Sequence, residues 1–358
     1  MKNSSSTEKN KINFSKIIQL IIFLGIGIFF VWFSVKDLSP EDIQAIKISA
    51  LKINNPLSWF FLTLSLLSGV CAHYIRGLRS IILIQPLGYH VRKNISFYSV
   101  MVCYLANLAF PRLGEVLRCT FLQRYERVPF QKALGTVVTE RAIDTLCWLI
   151  MLILVVWLNT ALLTDLVIDK ESGLTFGIWL QNKWSSLVSN STLFYLGGAF
   201  VLFCILIYLT RNYWKKISFF VKIKNFFWGI IQGLISIKDL KHPFLFVLYT
   251  ILIWVFFFLG TYFCFFAFDY LATLGPAPAF TVLIIGSIGY MVAQGGLGAY
   301  PLIVAGVLVM YGINYNAGLA AGWIGWSVQT MMIIVFGIAA LIIASFNDRK
   351  KEVFKSIK

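Results

Sequence analysis

Charge is scarce in this chain: 13% of its 358 residues are Asp, Glu, Lys or Arg, against 59% that are hydrophobic. Such a balance excludes an ordinary soluble domain and indicates an integral membrane protein. Acid is scarcest, with 15 Asp and Glu against 31 Lys and Arg, yet the bases do not point to nucleic acid. They cluster in short segments flanking apolar runs, the pattern of topology signals and of contacts with anionic lipid. Histidine is rare, and His73, His90 and His242 are isolated from one another. The six cysteines are scattered singly without a CxxC pair. No metal centre, cofactor or catalytic residue is therefore expected, and the cysteines read as small packing residues. The short alternating segments of a membrane β-barrel are also missing.

Long apolar runs are what the chain does have. Spans are expected at about 17–35, 57–75, 133–158, 193–210, 243–268 and 318–345, each near the roughly 20 residues that cross about 30 Å of hydrocarbon as a helix. The first, "IIQLIIFLGIGIFFVWFSV", reads as a retained anchor and not a cleaved signal. Two further regions, about 95–123 and 278–311, are apolar but interrupted, by Pro111 with Gly114 and by "QGGLGAYP". Each half is short for a crossing. Each region therefore reads as two half-helices meeting at a break inside the membrane, with a tightly turned pair of short spans as the alternative.

With the N-terminus in the cytoplasm, 25 Lys and Arg fall on the inner side and five outside: Lys36, Lys47, Lys52, Lys170 and Lys183. That asymmetry places both termini in the cytoplasm of a multi-pass protein of the cell (inner) membrane. The chain then divides into a tail at 1–16, a membrane domain at 17–345 and a basic tail at 346–358. The loop at 159–192 is moderately polar and faces outside, with "DLVIDKESGLTFGIWLQNKWSSL" as a short surface helix. The stretch 211–242 mixes Lys with Trp and Phe, as a helix in the inner interface or a plain basic loop does.

A repeat emerges when "AFPRLGEVLR" is set over "AQGGLGAYPL" at an offset of 184. Each unit, at about 95–158 and 278–345, has a broken region, a connector and a long span, and the charge count gives the two opposite orientations. The fold class expected is thus all-α: a polytopic transmembrane bundle with two broken or re-entrant hairpins in an inverted repeat. Where inverted repeats carry discontinuous helices, the breaks meet near the midplane and build the substrate site. Backbone groups freed at a break cannot face lipid bare.

Ionisable residues then pick out the candidate site. Arg112, Glu115 and Arg118 follow at spacings of three, and Glu140, Arg141 and Asp144 stand in the next span. A charge in a span costs roughly 2.5–3.5 kcal/mol on insertion scales, so pairing of Arg112 or Arg118 with Glu140 or Asp144 is expected. These charges either staple the hairpin to the next span or hold an anionic headgroup, since guanidinium offers phosphate a planar fork of donors. Arg76 and Arg79 join them or serve as inner-face anchors. Asn107 and Gly114 lie at the first break. Gln294, Gly295, Gly296, Gly298 and Tyr300 give the second a neutral hydrogen-bonding surface.

On "PRLGEVLRCTFLQRY", "TERAIDTL" and "GGLGAYP", the chain resembles the lysylphosphatidylglycerol synthase transmembrane-region family of flippase-like proteins, over roughly residues 15–345. The resemblance implies a membrane region that moves aminoacylated phosphatidylglycerol between leaflets. In full-length synthases a separate C-terminal domain transfers the amino acid from charged tRNA. This sequence stops at Lys358, so a stand-alone member without that domain is expected. Other stand-alone members handle lipid-linked sugars or polyprenyl phosphates, which widens the substrate class to anionic lipid. The expected function is a lipid translocase. The alternative is a membrane-embedded transferase, with Glu115 or Asp144 as general base, or a partner subunit in lipid-linked glycan or aminoacyl-lipid synthesis. Expected partners are an anionic headgroup and membrane lipids, with a second copy or a separately encoded synthase as protein candidates.

Overall fold

The computed structural model describes residues 55–110, 112–160 and 240–356, with short stretches at 32, 43–44, 167–169 and 174–175. The spans expected at 17–35 and 193–210 and the segment 211–242 lie outside the described residues, apart from Trp32 and residues 240–242. So does Pro111.

Among the described residues the membrane part is all helix. Its elements are α1 (Pro56–Ile84), α2 (Lys93–Ala109), α3 (Leu113–Glu126), α4 (Phe130–Leu158), α5 (Pro243–Phe266), the short α6 (Asp269–Ala272), α7 (Pro276–Val292), α8 (Ala299–Met310) and α9 (Tyr315–Ser356). Four of these, α1, α4, α5 and α9, are long and apolar enough to cross a membrane. In contrast, α2 and α7 have 17 residues, α3 has 14 and α8 has 12. At 1.5 Å per residue these reach roughly 18–25 Å, less than the hydrocarbon thickness. The interruptions read from the sequence are therefore real breaks, at residues 110–112 and 293–298.

Local chemistry sets the helix ends. Asn55 Oδ1 accepts from the Leu57 N–H at 3.2 Å, and Pro56 opens α1 where its missing donor costs nothing. At the far end α1 passes into a turn at Gln85–Leu87, closed by Gly88 at φ 86°. The span expected to stop at 75 thus runs on to Ile84, carrying Arg76 and Arg79 inside the helix. In the loop after α4, where a short helix was expected, Val167–Asp169 pairs antiparallel with Leu174–Thr175.

The described chain falls into two compact units. One comprises residues up to Val70, Tyr98–Arg118 and Phe257 onward; the other comprises Cys71–Phe97 and Cys119–Phe256. The core of the first gathers Leu62, Phe265, Leu271, Val282, Val304 and Leu308. Between α7 and α8 the backbones come so close that a Cβ on Gly289 would stand 2.6 Å from Tyr300 Cα. Small residues that admit such contact are the usual glue between membrane helices, since lipid provides no hydrophobic drive for association. The second unit packs Ile84, Val91, Cys119, Leu122, Val128 and Ala133. On α4, Ile150, Ile153 and Trp157 are 59%, 71% and 66% exposed. An apolar face of that size is a liability in water and suits a helix facing hydrocarbon.

Candidate functional site

In the first unit the two breaks meet. Asn107, in the last turns of α2, accepts through Oδ1 from the Gly114 N–H at 2.8 Å and donates through Nδ2 to Glu115 Oε1 at 3.4 Å. One amide thus satisfies a donor freed at the start of α3 and ties down a first-turn carboxylate. Gly114 has to be glycine: a Cβ there would overlap Cys103 O and stand 2.6 Å from Asn107 Oδ1. At the second break Gln294 Nε2 donates to Asn107 O at 2.7 Å, and Trp326 Nε1 on α9 donates to Gly295 O at 2.7 Å. Gly295, Gly296 and Gly298 take φ of 60°, 74° and 71°, turning the chain where an L side chain is strained. Two freed carbonyls, one per break, are thereby satisfied within protein, as the bilayer interior demands.

Tyr300, beside this junction, lines a cavity of about 40 Å³ with Ser65, Thr261, Cys264 and Gln329. That space holds a few water molecules and is far too small for a lipid headgroup.

Arg112 departs from its expected place. It stands before α3 with φ 61° and is exposed, so it does not share the face of Glu115 and Arg118. A residue in the left-handed region breaks the helical phase that the spacing of three assumed. Arg118 lies on α3 and is buried at 2% exposure.

The second unit holds the other charges. Asp144 on α4 is gripped by two arginines from α1: Oδ1 lies 2.7 Å from Arg79 Nη1, and Oδ2 accepts from Arg76 Nη2 at 3.2 Å. The partners of Asp144 are therefore Arg76 and Arg79, not Arg112 or Arg118 as expected from the sequence. Nor are Arg76 and Arg79 interface anchors, since they are 6% and 0% exposed. Glu140, buried, and Arg141 lie within electrostatic range of Arg76, and His73 is buried beside Arg76 and Arg141. Arg79 Nη1 also donates to Thr250 Oγ1 at 3.3 Å, and its guanidinium stands 5.8 Å from the centre of the Phe246 ring. His73, Thr250 and Trp326 were not singled out from the sequence. A polar stripe gives the signal for the first: Ser65, Ser68, His73, Arg76 and Ser80 recur along α1 at three to five residues, and all are buried.

Among the described residues, three arginines and two carboxylates thus come within electrostatic range of one another in this unit, the bases outnumbering the acids by one. Chemically such a cluster attracts an anion and holds it by charge-assisted hydrogen bonds.

Long apolar helices, paired short ones and buried charge together define a helical integral membrane protein. The profile described as Lysylphosphatidylglycerol synthase TM region matches residues 17–337, and the chain belongs to that family. No match is found among curated proteins or among solved structures.

Proposed function

We propose that this protein moves an anionic lipid, a phospholipid or a polyprenyl-phosphate-linked lipid, from one leaflet of the cell membrane to the other. The observation that carries this reading is the ion-paired cluster of Arg76, Arg79 and Asp144, sunk among helices that face hydrocarbon elsewhere. Charge at such depth is costly and marks a pathway for polar or charged cargo. Membership of the family supports a role with lipid. Within the first unit, the two breaks carry backbone and neutral side-chain hydrogen bonds of the kind that discontinuous helices bring to transporters.

In this scheme the phosphate meets guanidinium while the acyl or prenyl chains stay in the bilayer. Asp144 and Glu140 orient the arginines and lower the cost of their burial when no lipid is bound. The two broken pairs act as inverted halves that rock to face each leaflet in turn, with both termini in the cytoplasm. Here the bond from Gln294 to Asn107 O closes the junction between the breaks.

Reconstitution of pure protein into liposomes with head-labelled lipids tests the reading. Exchange of an anionic lipid between leaflets, faster than in protein-free vesicles, is the expected result. No exchange across a panel of anionic phospholipids and prenyl phosphates overturns it.

A further inference from the structure

The guanidinium of Arg79 has two edges, and only one of them is used. Nη1 meets Asp144 and Thr250, whereas Nε and Nη2 are buried and donate to no group among the described residues. Those two nitrogens form the side of the fork, with parallel N–H bonds matched to a pair of oxygens on one centre. The side chain is 0% exposed, so in this conformation neither water nor lipid reaches that edge from outside. Buried donors without acceptors are rare, and each is a place to look for a ligand.

We infer that the Nε and Nη2 edge of Arg79 is the binding site for a single phosphodiester group of a lipid. A phosphodiester has two non-bridging oxygens sharing one negative charge, which matches two parallel donors. The charge count agrees. Among the described residues, Arg76, Arg79 and Arg141 outnumber Glu140 and Asp144 by one, and a singly charged phosphate offsets that difference. A diphosphate brings at least one further negative charge into the same low-dielectric surroundings, beyond that difference of one. Asp144 holds the other edge of the fork and so fixes the plane in which the phosphate is met. Because Arg79 is sealed, α1, α4 or α5 has to shift for the lipid to arrive. The inference rests on the translocase reading only for the lipid nature of the molecule that carries the phosphate.

Equilibrium binding to the full chain in detergent tests it, by calorimetry with dihexanoyl phosphatidylglycerol, a short prenyl diphosphate, octanoate and dimethyl phosphate. The wild type is expected to bind the phosphatidylglycerol at least about tenfold more tightly than the other three. Arg79→Lys keeps the charge and removes the paired donors. It is expected to weaken phosphatidylglycerol binding about tenfold or more. Equal or tighter binding of the diphosphate or of octanoate overturns the phosphodiester assignment, and equal binding of dimethyl phosphate overturns the lipid. Unchanged affinity in Arg79→Lys overturns the site. The comparison among ligands needs no variant, so it decides the phosphodiester assignment by itself; where Arg79→Lys fails to fold, Arg79→Gln takes its place, and unchanged affinity there overturns the site. Binding is read without transport: a selective site with no leaflet exchange sinks the translocase and keeps the site, and exchange without selectivity does the reverse.

Discussion

Asp144→Asn removes one carboxylate oxygen charge from between two buried guanidiniums. Asp144 lies 2.7 Å from Arg79 Nη1 and 3.2 Å from Arg76 Nη2. Two unit charges about 4 Å apart attract by about 4 kcal/mol at an effective dielectric constant of 20. Two such pairs are lost. The offset is the relief of burying a charged carboxylate, itself worth several kcal/mol. Measured losses on breaking a buried pair from one side run at about 3–5 kcal/mol, and the same loss is expected here. Reversible unfolding in mixed detergent micelles, followed by helicity, gives the free energy. The companion double variant Asp144→Asn with Arg79→Met removes one charge of each sign, and it should be more stable than Asp144→Asn alone by more than about 1 kcal/mol. An Asp144→Asn protein within about 1 kcal/mol of wild type, or a double variant no better than the single, refutes the account of the cluster as a set of interdependent ion pairs.

Gly114→Ala puts a methyl group against Cys103 O and the Asn107 amide and should cost about 1–3 kcal/mol or more. Gly135→Ala, inside α4 with nothing within 4 Å, should be neutral or stabilising by up to about 1 kcal/mol in the same unfolding assay. Trp326→Phe leaves Gly295 O without its donor and should cost about 1–3 kcal/mol, with increased hydrogen exchange at 293–298 as the local signature. Arg92→Ala breaks a 2.7 Å pair with Glu126, but Arg92 is 52% exposed, so a change below about 1 kcal/mol that shrinks with salt is expected. A larger, salt-independent loss there contradicts that assignment.

The breaks were legible because membrane helices advertise their length. A largely apolar helix of seventeen residues ending before Arg112 and Gly114, and another of seventeen ending before "QGG", leave too little chain to cross. Starts of long helices were legible too: the apolar runs read from about 57 and 243 begin as helices at Pro56 and Pro243. Burial of Arg76 and Arg79 was not. They follow the end of an apolar run, where bases usually anchor a helix in the interface, and only the polar stripe from Ser65 to Ser80 reveals that α1 carries them inward. The partner of Asp144 was misread for a related reason: sequence spacing orders charges within one helix, whereas pairing with α1 spans 68 residues. The exposed setting of Arg112 was hidden by its left-handed backbone, which no spacing rule anticipates.

Leaflet exchange of head-labelled phosphatidylglycerol, compared between wild type and Arg76→Met/Arg79→Met/Asp144→Leu in the same liposomes, tests the central claim most directly. Replacing buried ion pairs by apolar side chains of similar size is often neutral or stabilising, so the variant should stay folded. Rapid exchange by the wild type, lost in the folded variant, is the result the account predicts. Equal exchange by both proteins, or none by the wild type, contradicts it.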